Sequence, residues 1–286
     1  MTRWLVALGL AVAAAVVPAE GAALEGTLKK IKEAGTIVIG YRDTARPFSF
    51  RDEQGQPAGY SVDLCRRIAV AVERALGMPG LQARFVPLTA ETRFDAVAKG
   101  TVDIECGATT NTLSRQERVD FTNMTFVDGG SLLVVDGLGI RGVSDLGGKR
   151  VAVIPDTTTA PALAAALQGG FIKATVIHVK NHDEGVALRE RGVADAYASD
   201  RTILIGVGRR AKQPARYALV NELFSYEPHG FMVRRDDAAF RLVVNRALSQ
   251  IYRSGEIVDI YRKWFGDIGE PSPALKVMYI LYSLPE

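Results

Sequence analysis

Short apolar runs alternate with amphipathic stretches along most of the chain. The β-branched run Thr36 to Gly40 predicts a strand, and apolar residues at helical spacing from Ser61 to Leu76 predict a helix. A strand near 85–88, a helix at 93–98 and a strand at 102–106 continue the series. Such alternation favours an α/β fold with mostly parallel sheets that are flanked by helices.

A second alternating series begins after the strand-like run Ser131 to Val135 and the glycine-rich stretch 137–142. Two amphipathic segments follow it, Phe240 to Arg253 and Ile257 to Phe265. The pattern therefore predicts two lobes. Because open α/β sheets bind ligands beyond the carboxyl ends of their strands, functional side chains are expected there.

The N-terminus has the residue order of a secretory signal peptide. Arg3 precedes an apolar run from Trp4 to Val17, and the small residues Gly21, Ala22 and Ala23 follow. The run is shorter than the ~20 residues that a membrane-spanning helix needs, which disfavours a membrane anchor. The sequence therefore predicts a signal peptide over 1–23, cleavage after Ala23 and a soluble periplasmic protein.

Composition and charge exclude one class of function. The chain has a formal net charge of only +3, and it lacks a basic stripe interleaved with aromatic residues, so nucleic-acid binding is not expected. The two cysteines, Cys65 and Cys106, would enter an oxidising compartment. Their spacing is compatible with a disulfide and equally with two separately buried thiols.

Several short motifs extend over nearly the whole mature chain. They are GYSVDL from Gly59, TNTLSRQERVDF from Thr110, DLGGK from Asp145, GVADA from Gly192 and KWFG from Lys263. In this order they resemble the amino-acid family of periplasmic substrate-binding proteins. Within it, GYR from Gly40, PFS from Pro47, ECGATTN from Glu105 and KNH from Lys180 are most similar to the glutamate/aspartate-binding branch.

The resemblance implies a two-lobe, type II Venus-flytrap fold with two hinge crossings. Lobe one is expected to contain residues 24–133 and 231–286, and lobe two residues 134–230. The implied function is that of a solute-binding protein of an ABC importer, with neither enzymatic activity nor a cofactor or metal. The expected partners are glutamate or aspartate and an inner-membrane permease, and the protein is expected to be a monomer.

A free amino acid needs partners for its α-carboxylate, its α-ammonium and its side chain. Arg115 suits the α-carboxylate because a guanidinium binds carboxylate through two parallel hydrogen bonds, and the resemblance gives Thr110 the same role. Asp200 follows a predicted strand and suits the ammonium. The alternative interpretations are a surface arginine for Arg115 and a helix N-cap for Asp200.

A surplus of cationic groups predicts an acidic ligand. Arg42 follows the first strand, Arg93 begins a helix and His182 lies in a strand-to-helix loop, and the resemblance places all three around a side-chain carboxylate. Two fixed guanidiniums at one pocket repel each other unless an anion lies between them. A second carboxylate is therefore expected on the ligand, although either arginine alone could equally be a solvated surface residue.

Small and hydroxyl residues complete the predicted site. Thr157 and Thr158 precede a predicted helix with Pro161 at N1, where hydroxyls and backbone N–H groups can contact a ligand or merely cap the helix. Ala90 and Ala108 occupy positions where the branch often has hydroxyl residues, although Ala108 still offers backbone groups. The missing hydroxyls leave the choice between aspartate and glutamate open.

Other functions are compatible with parts of the sequence. A binding protein for another polar amino acid would have the same fold, and a sensor that docks on a receptor would share the same site. A dehydratase of cyclic dicarboxylic acids on this fold would use Glu91 or Glu105 as proton donor. The G-x-G-x-x-G match at 137–142 is not followed by a long helix. His178 and His182 have the spacing of a helical metal pair, but Thr175 to Val179 is predicted to be a strand, where residues four apart do not converge. Both facts argue against dinucleotide and metal sites.

Overall fold

The computed structural model describes residues 24–286 as two α/β lobes on either side of a cleft. The predicted signal peptide lies outside the described residues. The helices are α1 Gly26–Ala34, α2 Tyr60–Leu76, α3 Arg93–Ala98, α4 Leu113–Gln116, α5 Thr159–Gly169, α6 His182–Glu190, α7 Arg201–Gly208, α8 Ala238–Arg253, α9 Glu256–Phe265 and α10 Pro273–Leu281. Within this part of the chain, none of the helices has the length and apolar character needed to cross a membrane.

The strands form two large sheets and one small sheet. They are β1 Thr36–Arg42, β2 Thr44–Ala45, β3 Ser49–Arg51, β4 Pro57–Ala58, β5 Gln82–Leu88, β6 Ile104–Cys106, β7 Asp120–Asp128, β8 Gly130–Val135, β9 Arg150–Val153, β10 Thr175–His178, β11 Ala196–Asp200, β12 Tyr217–Leu219 and β13 Glu227–Val233. The large sheets have the orders β5-β1-β6-β13-β7 and β10-β9-β11-β8-β12, and the small one is β2-β3-β4.

Most strands of each large sheet run in the same direction. The reversed strand is β13 in lobe one and β8 in lobe two, because each pairs antiparallel with both of its neighbours. The remaining pairs, β1 with β5 and β6, and β9 with β10 and β11, are parallel. The predicted fold, with mostly parallel sheets flanked by helices, is confirmed.

The chain passes between the two sheets twice. Strand β7 pairs with β13 in the first sheet, while β8 begins at Gly130 and pairs with β11 in the second. The return lies between Leu219, which pairs in the second sheet, and Glu227, which pairs in the first. The boundaries predicted at 133/134 and 230/231 therefore fall inside β8 and β13, a few residues after each change of sheet. That the two lobes move relative to each other about these crossings stays a prediction.

A disulfide connects helix α2 to the sheet of lobe one. Helix α2 buries Leu64, Cys65, Ile68 and Val72, in agreement with the predicted amphipathic pattern. Cys65 is bonded to Cys106 at the end of β6, with 6.4 Å between the two Cα atoms. The alternative of two separate thiols is therefore wrong, and α2 is fixed to the strand that leads into the cleft.

Some elements have no clear signal in the sequence pattern. Strand β13 contains Pro228 and Gly230, and its pairing with β7 shifts register on both sides of Gly230, so the alternation typical of a strand is interrupted. Helices α1 and α10 and strand β7 are also not predicted. Helix α5 begins at Thr159, which makes Pro161 its third residue and not its first.

Candidate functional site

The carboxyl ends of strands from both sheets face one cleft. In lobe one, Arg42 is the last residue of β1, and Arg93 begins the helix that follows β5. In lobe two, His182 begins the helix that follows β10, and Asp200 is the last residue of β11. This is the part of an open α/β sheet at which ligands bind.

All nine residues predicted from the sequence line this cleft. They are Arg42, Arg93, Ala108, Thr110, Arg115, Thr157, Thr158, His182 and Asp200, and the lining also includes Ala45, Thr159, Ser199 and Ile203. The free cavity between them is only about 20 Å³, well below the volume of typical small-molecule sites, so the cleft is closed in this arrangement. The four additional residues escape prediction because they are small or apolar and belong to no distinctive motif. Their contact with a ligand, like that of the nine, stays a prediction.

Two buried arginines form the lobe-one wall. Arg42 is 6% exposed and Arg93 is 2% exposed, and the Nε group of each is buried without a hydrogen-bond partner in the described chain. Burial, reinforced by the charges of Arg42 and Arg115, lowers the pKa of Arg93 to about 9. Burial also lowers the pKa of Arg42. An anion placed between these groups would relieve both penalties.

Arg93 also reaches across the cleft. Its Nη1 donates to the Ala90 carbonyl at 2.7 Å, and its Nη2 donates to the Asp156 carbonyl of lobe two at 2.9 Å. The guanidinium is therefore held by two backbone oxygens in a closed arrangement of the lobes. Since Ala90 contributes through its carbonyl, the absence of a hydroxyl side chain there does not remove its contact with Arg93.

Arg115 is held at the cleft by its own short helix. Thr112 is the N-cap of α4 and accepts a hydrogen bond from the Arg115 N–H at 3.3 Å. The Arg115 Nη1 donates to the Thr110 carbonyl at 2.8 Å. These contacts direct the guanidinium inward, so the interpretation of Arg115 as a solvated surface residue is wrong.

Behind the cationic wall lies Glu105, a buried carboxylate. Glu105 is fully buried, its Oε2 accepts from the Thr109 hydroxyl at 2.9 Å, and its Oε1 has no partner among residues 24–286. Burial raises its pKa, although Arg93 and Arg42 oppose the shift. A Cβ at Gly107 would collide with Oε1, so any larger residue there would force the Glu105 carboxylate to move. Glu105 offsets part of the positive charge from behind, whereas the lining itself has three arginines and one aspartate.

His182 is neutral in the folded protein. It is 3% exposed, and its Nδ1 forms a hydrogen bond with the Tyr197 hydroxyl at 2.7 Å. Burial, reinforced by the charge of Arg42, lowers the pKa of His182 to about 3. Counting His182 among the cationic groups is therefore wrong at neutral pH. It offers a ligand a hydrogen bond and not a charge.

Asp200 faces the cleft and does not cap α7. It occupies the N-cap position of that helix, but its side chain makes no capping hydrogen bond. Its Oδ2 lies 3.1 Å from the Nε2 of His229 on β13, and its Oδ1 accepts from the Thr159 hydroxyl at 3.4 Å. Burial lowers the pKa of His229, but the hydrogen bond and charge of Asp200 outweigh burial, so the net shift is upward. His229 gives no motif signal, because only the return of the chain through β13 brings it to Asp200.

The threonines meet at a second carboxylate that sequence reasoning missed. The hydroxyl oxygens of Thr110 and Thr158 lie 3.1 Å apart across the cleft. Both hydroxyls donate to the Oε2 of Glu227, each at 2.5 Å. Thr157 instead donates to the Ile154 carbonyl at 2.7 Å, so its hydroxyl proton is used within its own loop.

The residues proposed for other chemistries are not assembled at the cleft. Glu91 is exposed, and neither it nor Glu105 belongs to the lining. His178 is exposed on β10, whereas His182 is buried on α6. In the part of the chain that the structure describes, no three His, Cys, Asp or Glu side chains are arranged to hold a metal ion.

Residues 37–267 match the model of the bacterial extracellular solute-binding proteins, family 3. The chain belongs to this family. An L-glutamate/L-aspartate-binding protein of Pseudomonas aeruginosa is 41% identical over 90% of this chain and 86% of its own length. A glutamate/aspartate import solute-binding protein of Escherichia coli K12 is 35% identical over 90% of this chain and 84% of its own. The resemblance inferred from the motifs is confirmed.

Solved structures of the same architecture support this membership. The ancestral amino acid-binding protein AncCDT-1, a precursor of cyclohexadienyl dehydratase, has a TM-score of 0.73 and 29% identity. The likeness covers 84% of this chain and all of that one. An ancestral arginine-binding protein bound to glutamine has a TM-score of 0.73 and 28% identity, over 81% and 98% of the two chains.

Proposed function

We propose that this family 3 protein is the periplasmic solute-binding component of an ABC importer and that it binds glutamate or aspartate. The observation that carries the proposal is the convergence of Arg42, Arg93 and Arg115 on one cleft, with a single lining acid, Asp200. An acidic amino acid brings two carboxylates for the arginines and one ammonium for the aspartate. The names of the two bacterial relatives support the same ligand class.

Each part of the ligand has a partner in the proposed complex. The α-carboxylate binds the guanidinium of Arg115, since guanidinium and carboxylate form paired, charge-assisted hydrogen bonds. The α-ammonium binds Asp200. The side-chain carboxylate lies between Arg42 and Arg93 and accepts a hydrogen bond from neutral His182. The buried, unpartnered Nε groups of the two arginines support this placement.

Closure of the lobes supplies the signal for transport in this proposal. The ligand first docks on the lobe-one arginines, and lobe two then adds Asp200 and His182. Contacts such as Arg93 to the Asp156 carbonyl and His229 to Asp200 join the two lobes in the closed form. Because a ligand shifts an equilibrium by its differential affinity, one that touches both walls favours closure. The closed surface is then available to an inner-membrane permease, whose partner ATPase supplies the energy.

A dehydratase is the competing function on this architecture, because the solved precursor of cyclohexadienyl dehydratase has a similar fold. The position of the acids favours binding over catalysis. A proton donor must come within hydrogen-bond reach of the substrate, and Glu91 and Glu105 do not line the cleft. Turnover of a cyclic dicarboxylic acid by the purified protein would establish the enzyme instead.

The decisive experiment is a thermal-shift panel of the common amino acids on protein that has been unfolded and refolded to remove bound ligand. A ligand at 100 times its Kd stabilises the folded state by about 2.7 kcal/mol, so glutamate and aspartate should raise the Tm clearly. Stabilisation by glutamine or a basic amino acid alone would contradict the acidic specificity. Uptake of labelled glutamate by cells with and without the gene then separates an importer from a receptor-bound sensor.

A further inference from the structure

Glu227 lies behind the cleft, where its carboxylate connects the two lobes. It is the first residue of β13, at the return crossing of the chain, and is 1% exposed. Its Oε2 accepts from Thr110 in lobe one and from Thr158 in lobe two, each at 2.5 Å. Its Oε1 accepts from the Ser225 hydroxyl at 2.6 Å. The two threonines line the cleft, whereas Glu227 does not.

These hydrogen bonds decide what the two hydroxyls can offer to a ligand. A hydroxyl has one proton and two lone pairs, and an ionised carboxylate can only accept. Because the protons of Thr110 and Thr158 both point to Glu227, each oxygen can only accept a hydrogen bond from a group in the cleft. An ammonium has three donors and no acceptor, so it suits these oxygens, whereas a ligand carboxylate does not.

We propose that Glu227 is a positioning residue that makes Thr110 and Thr158 acceptors for the α-ammonium of the ligand. It thereby selects amino acids over the same acids without an amino group. The inference rests on the proposed function, and it moves the Thr110 hydroxyl from the α-carboxylate to the ammonium subsite that contains Asp200. Since Glu227 bonds to both lobes, it also couples recognition of the ammonium to closure.

Glu227→Leu tests the role with little change of volume. A leucine accepts no hydrogen bond, so both threonine protons are released and can point into the cleft. We expect affinity for glutamate to fall about 30-fold, because hydrogen bonds to a charged group are lost. Glutarate, the five-carbon diacid without the amino group, should bind as before or more tightly. Calorimetry of both ligands at pH 7.5 gives the ratio of the glutamate affinity to the glutarate affinity, which should fall at least about 30-fold.

Two further variants separate this role from a general loss of structure. Ser225→Ala removes the donor to the other Glu227 oxygen and leaves the threonine contacts, so the ratio should not change. Thr158→Val removes a hydroxyl that can only accept, so it should weaken glutamate and leave glutarate unaffected. If Glu227 acts through this hydroxyl, its substitution has a smaller effect on glutamate in the Thr158→Val protein than in the wild type.

The outcomes distinguish this inference from the function on which it rests. Equal weakening of glutamate and glutarate by Glu227→Leu, or fully additive effects of the Glu227→Leu and Thr158→Val substitutions on glutamate binding, overturns the positioning role. If glutarate binds too weakly to measure, the additivity of the Glu227 and Thr158 substitutions on glutamate binding tests the positioning role by itself. If the wild-type protein binds a different amino acid, only the acidic specificity fails. The role of Glu227 is then still tested by the ratio of the affinities for that amino acid and for the same acid without its amino group.

Discussion

The two walls of the cleft differ in charge and in how they are held. The lobe-one wall contributes Arg42, Arg93 and Arg115, and a disulfide fixes the strand beside them to helix α2. The lobe-two wall contributes Asp200, a neutral His182 and threonine hydroxyls. The structure describes no disulfide in lobe two, because both cysteines belong to lobe one.

Because of this difference, we expect the two walls to have different roles in binding. Buried guanidiniums have a large electrostatic cost until an anion arrives, so the lobe-one wall is the natural first contact for carboxylates. The lobe-two wall has little net charge and adds shorter-range hydrogen bonds when the lobes close. Substitutions on the first wall should therefore abolish capture, whereas those on the second should alter selectivity and pH response.

Arg115→Ala should have the largest effect on ligand binding. Removal of one partner of a buried charge pair costs about 4 kcal/mol, so glutamate affinity should fall roughly 1,000-fold. Calorimetry measures the change, and Arg118→Ala is the matched control, because Arg118 is exposed and forms its ion pair with exposed Asp95 on the same lobe. A loss below tenfold for Arg115→Ala would show that the α-carboxylate binds elsewhere.

Removal of the disulfide should lower stability without changing selectivity. The Cys65–Cys106 bond closes a loop with a sequence separation of 41 residues, for which the stabilisation is typically about 3 kcal/mol. The double variant with alanine at both positions should lose this amount in urea unfolding. Its ratio of affinities for glutamate and glutamine should equal that of the wild type. A changed ratio would mean that the bond also sets the geometry of the lobe-one wall.

Arg93→Ala should separate acidic from neutral ligands. If Arg93 contacts the side-chain carboxylate, glutamate should weaken by about 2 kcal/mol, or about 30-fold, since a charge-assisted hydrogen bond is lost. Glutamine should weaken much less. Arg84→Ala on exposed β5 is the control for a general change of charge. Equal weakening of both ligands would indicate that Arg93 acts only through its bond to the Asp156 carbonyl.

The sequence predicts the lining of the cleft well because strand ends and helix starts can be read from local patterns. Arg42, Arg93, His182 and Asp200 each lie within a few residues of a predicted strand or helix boundary. The family motifs then indicate which of these positions face the ligand. Local patterns do not give the order of the strands in the sheets, because that order depends on pairing between distant segments.

Long-range neighbours are the part that local reasoning could not supply. Glu105 begins the ECGATTN motif, but the motif does not show that the carboxylate is buried behind the arginines. Glu227 belongs to no motif, and His229 lies on a strand interrupted by Pro228 and Gly230. Their roles depend on contacts between residues far apart in the chain, such as Glu227 with Thr110. The prediction that His182 is cationic was wrong for the same reason. Its pKa is lowered by burial and by the charge of Arg42, which lies far away in the chain.

The smallest expected effect concerns the neutrality of His182 on the lobe-two wall. Because its pKa is lowered to about 3 from an ordinary 6.5, the unfolded chain takes up a proton below pH 6.5 that the folded chain does not. Stability from this group is therefore lost as pH falls. Between pH 7.5 and 6 the loss is about 1 kcal/mol.

Urea unfolding of the wild type and of His182→Asn at these two pH values isolates this loss. His229 is present in both proteins, so its own titration cancels in the difference between them. His178→Asn is the matched control, because exposed His178 on β10 should leave the pH dependence of the wild type unchanged. If His182→Asn has the same pH dependence as the wild type, His182 titrates normally in the folded state. The lobe-two wall would then carry a positive charge at mildly acidic pH, and the two walls would differ only in the amount of positive charge that each carries.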